Sequence, residues 1–141
     1  MPEVRKTRVL LADDHRRFLE LIRSHLEPTF EVVGTVENGE SLIEAAYKLQ
    51  PDVIVTDISM PKLNGIEAVN RLRELGSTSK VVFLTVHAGS DFVQVALKTG
   101  ALAYVSKLRI SADLLVAIRE ALEGRIFVSP NSAVSCAEAG A

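Results

Sequence analysis

The chain has almost nothing with which to cross-link itself. Its one cysteine, Cys136, sits among small residues and has no partner for a disulfide or a CxxC pair. A reducing compartment follows, and a cytoplasmic location is expected. No apolar run approaches the ~18 residues of a membrane span. Near the N-terminus, Val9 to Ala12 gives only four apolar residues before two aspartates, too short for the core of a secretion signal. A basic excess is missing too: 16 Lys and Arg stand against 18 Asp and Glu, a net charge of −2. The basic clusters Arg5-Lys6-Thr7-Arg8 and Arg16-Arg17 read as solvated faces. Direct nucleic-acid binding through phosphates calls for more positive charge than this. No GxGxxG or GxxxxGK[ST] loop follows the first apolar run, which excludes the common nucleotide-binding α/β domains. Internal repeats and low-complexity segments are absent as well.

What remains is the profile of one globular domain. The 141 residues are 48% hydrophobic and 24% charged, and single domains cluster at about 100–150 residues. Short apolar runs recur at Val9–Ala12, Phe30–Val36, Val53–Thr56, Val81–Val86 and Leu102–Val105. Several are nearly unbroken and rich in β-branched residues, as strands covered on both faces are. Between them the apolar spacing turns helical: Phe18, Ile22 and Leu26; Leu42, Ala46 and Leu49; Ile66, Val69 and Leu72; Val93, Ala96 and Leu97; Leu114, Ile118 and Leu122. Pro28 and Pro51 follow the first two helices, and Gly76, Gly100 and Gly124 stand where a left-handed C-terminal residue is expected. The alternation predicts an α/β fold, a flavodoxin-like doubly wound five-stranded parallel sheet of order 2-1-3-4-5 with five helices. The domain is expected over residues 1–128, with 129–141 as a linker stub or frayed tail.

In such sheets ligands bind beyond the carboxyl ends of the strands, where the strand order reverses. Each relevant run here ends in a reactive side chain: Asp13-Asp14, Asp57, Thr85 and Ser106-Lys107. With the first and third strands adjacent, three carboxylates meet at one rim. They repel one another unless a hard cation joins them, and Mg²⁺ takes oxygen ligands of this kind. Asp57 is then able to attack phosphorus, as carboxylates do when an aspartyl phosphate forms. Lys107 supplies a second positive charge and the Thr85 hydroxyl a hydrogen bond to the transferring group. Any one strand-end aspartate is most simply a cap or turn residue; the five together point to a site.

The motifs Leu-Ala-Asp-Asp-His (11–15), Val-Thr-Asp-Ile-Ser-Met-Pro (55–61) with Asn64-Gly65, Leu-Thr-Val-His (84–87) and Gly-Ala-Leu-Ala-Tyr-Val-Ser-Lys (100–107) resemble the receiver domains of two-component response regulators, from about residue 7 to residue 128. The resemblance implies Asp57 as phosphoacceptor and Asp13, Asp14, Asp57 and the Ser59 carbonyl as ligands of Mg²⁺, with Mn²⁺ as an alternative. It implies Thr85 and Lys107 as the switch pair, and Tyr104 as the aromatic that moves with them. His87 and Ser59 flank the phosphoacceptor, where side chains tune the access of water. His15, His87 and the run Gly124 to Pro130 resemble the NarL/FixJ-type transcriptional regulators in particular. Leu108 departs from the proline many receivers carry after the lysine. The helix-turn-helix domain usual in that subfamily lies outside this sequence, which leaves a single-domain regulator and a fragment both open.

The implied partners are a sensor histidine kinase or phosphotransfer protein and, on phosphorylation, a second copy of the chain. No membrane contact is expected, and the protein is read as a signalling switch, not a turnover enzyme. A phosphatase of the haloacid dehalogenase type would also use a strand-end aspartate, but it usually carries a second Asp two residues on, where this chain has Ser59. A degenerate docking module of the same fold would have lost site residues that are all present here. His25 reads as an ordinary residue of the first helix; His15 is open between helix residue and site residue.

Overall fold

The computed structural model describes residues 6–86 and 90–129. His87, Cys136 and the proposed tail from residue 130 onward lie outside the described residues, as does the side chain of Val93. The elements alternate: β1 Arg8–Ala12, α1 Arg16–Leu26, β2 Glu31–Val36, α2 Gly39–Leu49, β3 Val53–Asp57, α3 Gly65–Glu74, β4 Lys80–Thr85, α4 Ser90–Leu97, β5 Ala103–Ser106, α5 Ile110–Leu122 and β6 Phe127–Val128. A 3-10 turn, Lys107–Arg109, joins β5 to α5.

All strand pairs are parallel, in the order β2-β1-β3-β4-β5-β6. The expected 2-1-3-4-5 sheet is therefore present, extended by one short strand. After Gly124 turns the chain back, Phe127 and Val128 run along the free edge of β5. The Phe127 and Ser129 amides donate to the Leu102 and Tyr104 carbonyls at 2.8 and 2.9 Å, which pairs an edge otherwise left to solvent. Ser129, placed in the tail by sequence, is buried against the domain.

The period-2 alternation of strand side chains divides the core in two. Val9, Leu11, Val53, Val55, Val82, Leu84, Ala103 and Val105 face α1 and α5. Leu10, Ala12, Ile54, Val81, Phe83 and Tyr104 face α2, α3 and α4. Every residue of β3 and β5 is buried, as strands covered on both sides require. The helices meet these faces much as their spacing predicts, with one shift. In α1 it is Leu19, Ile22 and Leu26 that are buried, while Phe18 is half-buried at the rim.

Local chemistry fixes where the helices start and stop. Asn38 accepts from the Ser41 amide to open α2, and Asn64 and Glu67 form a reciprocal capping box that opens α3. Gly76, Gly100 and Gly124 all adopt left-handed φ of 91°, 91° and 79°, as their positions predict. Gly65 serves a different need. A Cβ there would lie 2.2 Å from the Asp57 carbonyl oxygen, so only glycine lets α3 begin directly beneath the end of β3.

Candidate functional site

From β1 the chain passes to β2 on one side and later to β3 on the other, so the rim between β1 and β3 is where the winding reverses. Asp13 leaves the end of β1, its amide still bonded to the Val36 carbonyl at 3.0 Å. Asp57 is the last residue of β3. Lys107 follows β5 directly. Two strands separate the origins of this lysine and Asp13, yet its long side chain spans them.

Lys107 Nζ lies 2.7 Å from Asp13 Oδ2 and 3.1 Å from Asp57 Oδ2. It also stands 4.6 Å from the centroid of the Phe18 ring, a cation–π distance. Asp13, with no exposed surface, accepts from the His15 amide on Oδ1 at 2.9 Å. Asp57 Oδ1 accepts from the Ser59 amide at 3.2 Å. His15 Nδ1 approaches Asp13 and Asp14 at 3.1 and 3.2 Å. Asp13, Asp14, His15 and Asp57 each present one ligand atom within 4.8 Å of the others.

The electrostatics follow from burial. Desolvation is the largest influence on Asp57 and raises its carboxyl above the ordinary carboxylate value. Lys107 pulls it back, Asp13 pushes it further up, and the Ser59 amide lowers it slightly; the net direction is upward. Burial alone would lower the Lys107 ammonium, but the Asp13 and Asp57 carboxylates outweigh it and raise it. Three carboxylates against one ammonium leave two negative charges at the rim, the charge of one divalent cation. The three carboxylates of the cluster are oxygen donors of the kind a hard cation selects. The residues present fit the metal implied by the sequence.

Thr85 ends β4, in register with Ser106 of β5. Its hydroxyl is hydrogen-bonded to the phenol of Tyr104, which is itself buried. Burial raises the Tyr104 hydroxyl's pKa and the bond to Thr85 partly offsets this. Ser59 is exposed beyond Asp57. His25 is not among the clustered ligand atoms and lines a groove that Phe18, Leu21, Lys107 and Leu108 share. Asp13, Asp14, Asp57 and Lys107 are thus gathered at one point, with Ser59 beside them and Thr85 joined to Tyr104. His15, left open by sequence, belongs to the cluster; its adjacency to the acidic pair was the one available signal.

Comparison with known proteins gives the same neighbourhood. The sequence matches the response regulator receiver domain family over residues 9–119. It is 38% identical to the transcriptional regulatory protein DegU of Brevibacillus brevis, over 89% of this chain and 54% of that one. It is 37% identical to the nitrate/nitrite response regulator protein NarL of Escherichia coli K12, over 86% of this chain and 57% of that one. The chain therefore spans about half the length of these curated relatives. Among solved structures, a two-component response regulator of the LuxR family from Aurantimonas sp. SI85-9A1 superposes with a TM-score of 0.84 at 32% identity, covering 89% of this chain and 91% of that one.

Proposed function

This chain belongs to the response regulator receiver domain family, and from that premise we infer that Asp57 is its phosphoacceptor. Members of the family are switches in two-component signalling, phosphorylated on an aspartate to regulate an output, and the relatives above are NarL- and DegU-type regulators. The observation that carries the assignment is Lys107 Nζ held between Asp57 and Asp13, with Asp14 in the same cluster.

Mg²⁺ (or Mn²⁺) would be held by Asp13, Asp14, Asp57 and the Ser59 carbonyl, and when bound it offsets negative charge on the transferring group. The chain's own residues do the rest. Asp57 must be ionised to attack; Lys107 and the Ser59 amide favour that form against burial and Asp13. A carboxylate oxygen of Asp57 forms a bond to phosphorus as the bond from phosphorus to a kinase histidine nitrogen breaks, and that nitrogen keeps the electron pair. Lys107 stays within reach of the new phosphoryl oxygens. Thr85 exchanges its bond to Tyr104 for one to the phosphoryl group, and the change is read on the surface of α4, β5 and α5 as a shift between two populations. His15 and Ser59 stand beside Asp57 and bear on the access of water to the acyl phosphate, and so on its lifetime; for His87 the same role rests on the resemblance alone.

The donor is a sensor histidine kinase or phosphotransfer protein, and a second copy of the chain is a candidate reader of the switched surface. Direct nucleic-acid contact is disfavoured for this stretch by its net charge of −2 and its acidic rim. Asp57→Asn is expected to abolish labelling by acetyl phosphate and uptake of beryllofluoride. Undiminished labelling of that variant, measured by intact-protein mass and calorimetry, overturns the assignment.

A further inference from the structure

Lys107 reaches two carboxylates across the top of the sheet, which demands that its backbone be held. Its immediate sequence provides little. Leu108 follows it and is 88% exposed, so it adds neither packing nor the fixed φ of a proline. The restraint comes from elsewhere. The Ser106 amide donates to Ser129 Oγ at 3.0 Å, and Ser129 Oγ donates in turn to Asp113 Oδ2 at 2.7 Å. Asp113 also receives both Arg109 Nε and Nη2, at 2.8 and 3.3 Å. Ser106 Oγ accepts from the Leu108 amide at 3.2 Å. The residues on either side of Lys107 are therefore tied to the first turn of α5 and to the end of β6.

Three features mark this as more than incidental polarity. Ser129 and Asp113 are buried, where an unmade hydrogen bond is costly and a satisfied network fixes geometry. Asp113 is ionised: burial would raise its carboxyl, but the hydrogen bonds from Arg109 and Ser129 carry it below the usual range. Finally, Ser129 both donates and accepts, so a single hydroxyl orients the β5 end and the α5 start together.

We propose that Ser129 and Asp113 are positioning residues for Lys107, clamping the Ser106 main chain and the Arg109 side chain so that the ammonium stands between Asp13 and Asp57. The clamp rests on the reading of Asp57 as phosphoacceptor. It assigns part of the phosphoryl-binding geometry to the segment after α5. Since coupling is reciprocal, filling the phosphoryl site tightens the clamp by the same factor that the clamp improves the site.

The test uses the full chain with Ser129→Ala, Ser129→Thr, Asp113→Asn and a stability control, Leu122→Ala, which removes packing beside the same core cluster without touching the clamp. Calorimetry measures Mg²⁺ alone, then beryllofluoride at saturating Mg²⁺. Loss of one buried hydrogen bond predicts roughly five- to tenfold weaker beryllofluoride binding in Ser129→Ala and Asp113→Asn. Mg²⁺ affinity is expected to be unchanged or tighter, because a loosened Lys107 competes less for the carboxylates. Ser129→Thr restores analogue binding, and Leu122→Ala melts lower yet binds it normally. In the unaltered chain the analogue slows hydrogen exchange of the Ser106 amide. The clamp is refuted if the alanine variant binds the analogue as the parent does, if Mg²⁺ and analogue weaken together, if Leu122→Ala loses analogue binding equally, or if Ser106 exchange does not respond. A parent chain that takes up no beryllofluoride refutes the Asp57 assignment itself, and the clamp with it.

Discussion

Replacing Lys107 with methionine keeps most of the stem and removes the charge, and its effect on stability can be worked from the site. The ammonium sits 2.7 and 3.1 Å from two buried carboxylates. At an effective dielectric of about 20, each contact is worth roughly 5–6 kcal/mol before desolvation is counted. Desolvation offsets most of that while the lysine is present. When it is removed the carboxylates stay buried and unpaired, a situation that costs about 3–5 kcal/mol. Lys107→Met is therefore expected to lose ~3 kcal/mol near neutral pH in the presence of a chelator.

The loss has a pH signature. The Asp57 carboxyl already titrates above its ordinary value of 3.8. Below the unfolded value it is protonated in folded and unfolded chains alike, and the folded state keeps its full share of stability. As pH rises through the raised folded value, the buried group is forced to ionise beside Asp13, and stability falls. Without Lys107 the folded value moves higher still, so the fall continues over a wider range. Divalent cation reverses it. Lysine and cation compete for the same oxygens, so the variant gains more from Mg²⁺ than the parent does. A ligand at a hundred times its dissociation constant contributes about 2.7 kcal/mol. Urea denaturation of both proteins at several pH values, with chelator and with Mg²⁺, measures each of these quantities. A pH-independent difference, or equal stabilisation by Mg²⁺, would refute the electrostatic account of the rim.

Two further substitutions separate the site from its scaffold. Gly65→Ala places a methyl group 2.2 Å from the Asp57 carbonyl oxygen; a loss of about 1–3 kcal/mol together with weakened analogue uptake is expected, and denaturation alongside calorimetry checks both. Arg73→Ala removes a half-buried guanidinium that donates to the Ser77, Ser79 and Thr99 carbonyls at 3.1, 2.8 and 3.4 Å. It should cost roughly 2 kcal/mol in melting or urea experiments while leaving beryllofluoride affinity unchanged, because those carbonyls lie at the opposite rim of the sheet.

The features that were legible in the sequence are those that physics repeats along the chain. Val53 to Thr56 and Leu102 to Val105 read as doubly covered strands because burial on both faces keeps charged residues out of every position. Strand ends were legible as well, since Asp13, Asp57 and Ser106-Lys107 directly follow their apolar runs and Thr85 falls near the end of its own. What periodicity does not encode was missed. The bond from Ser106 to Ser129 joins residues 23 apart, and neither serine differs in type from an ordinary loop residue. β6 has only two residues, too few for alternation to register. In α1 Leu19 joins Ile22 and Leu26 on the inner face, while Phe18 packs at the edge of the same core with its ring 4.6 Å from the Lys107 ammonium, a contact that no helical spacing anticipates.

Gly65 carries one more consequence. Its amide donates to the Ile58 carbonyl at 2.7 Å, and the Ile58 amide donates to the Leu84 carbonyl at 3.2 Å. The main chain just beyond Asp57 is thus fastened from below and from the side. Chemistry at that carboxylate has to propagate laterally, toward β4 and β5, while the origin of α3 stays still. A spectroscopic label on the exposed side of α3 should be silent when the switch turns over, and one on α5 should not.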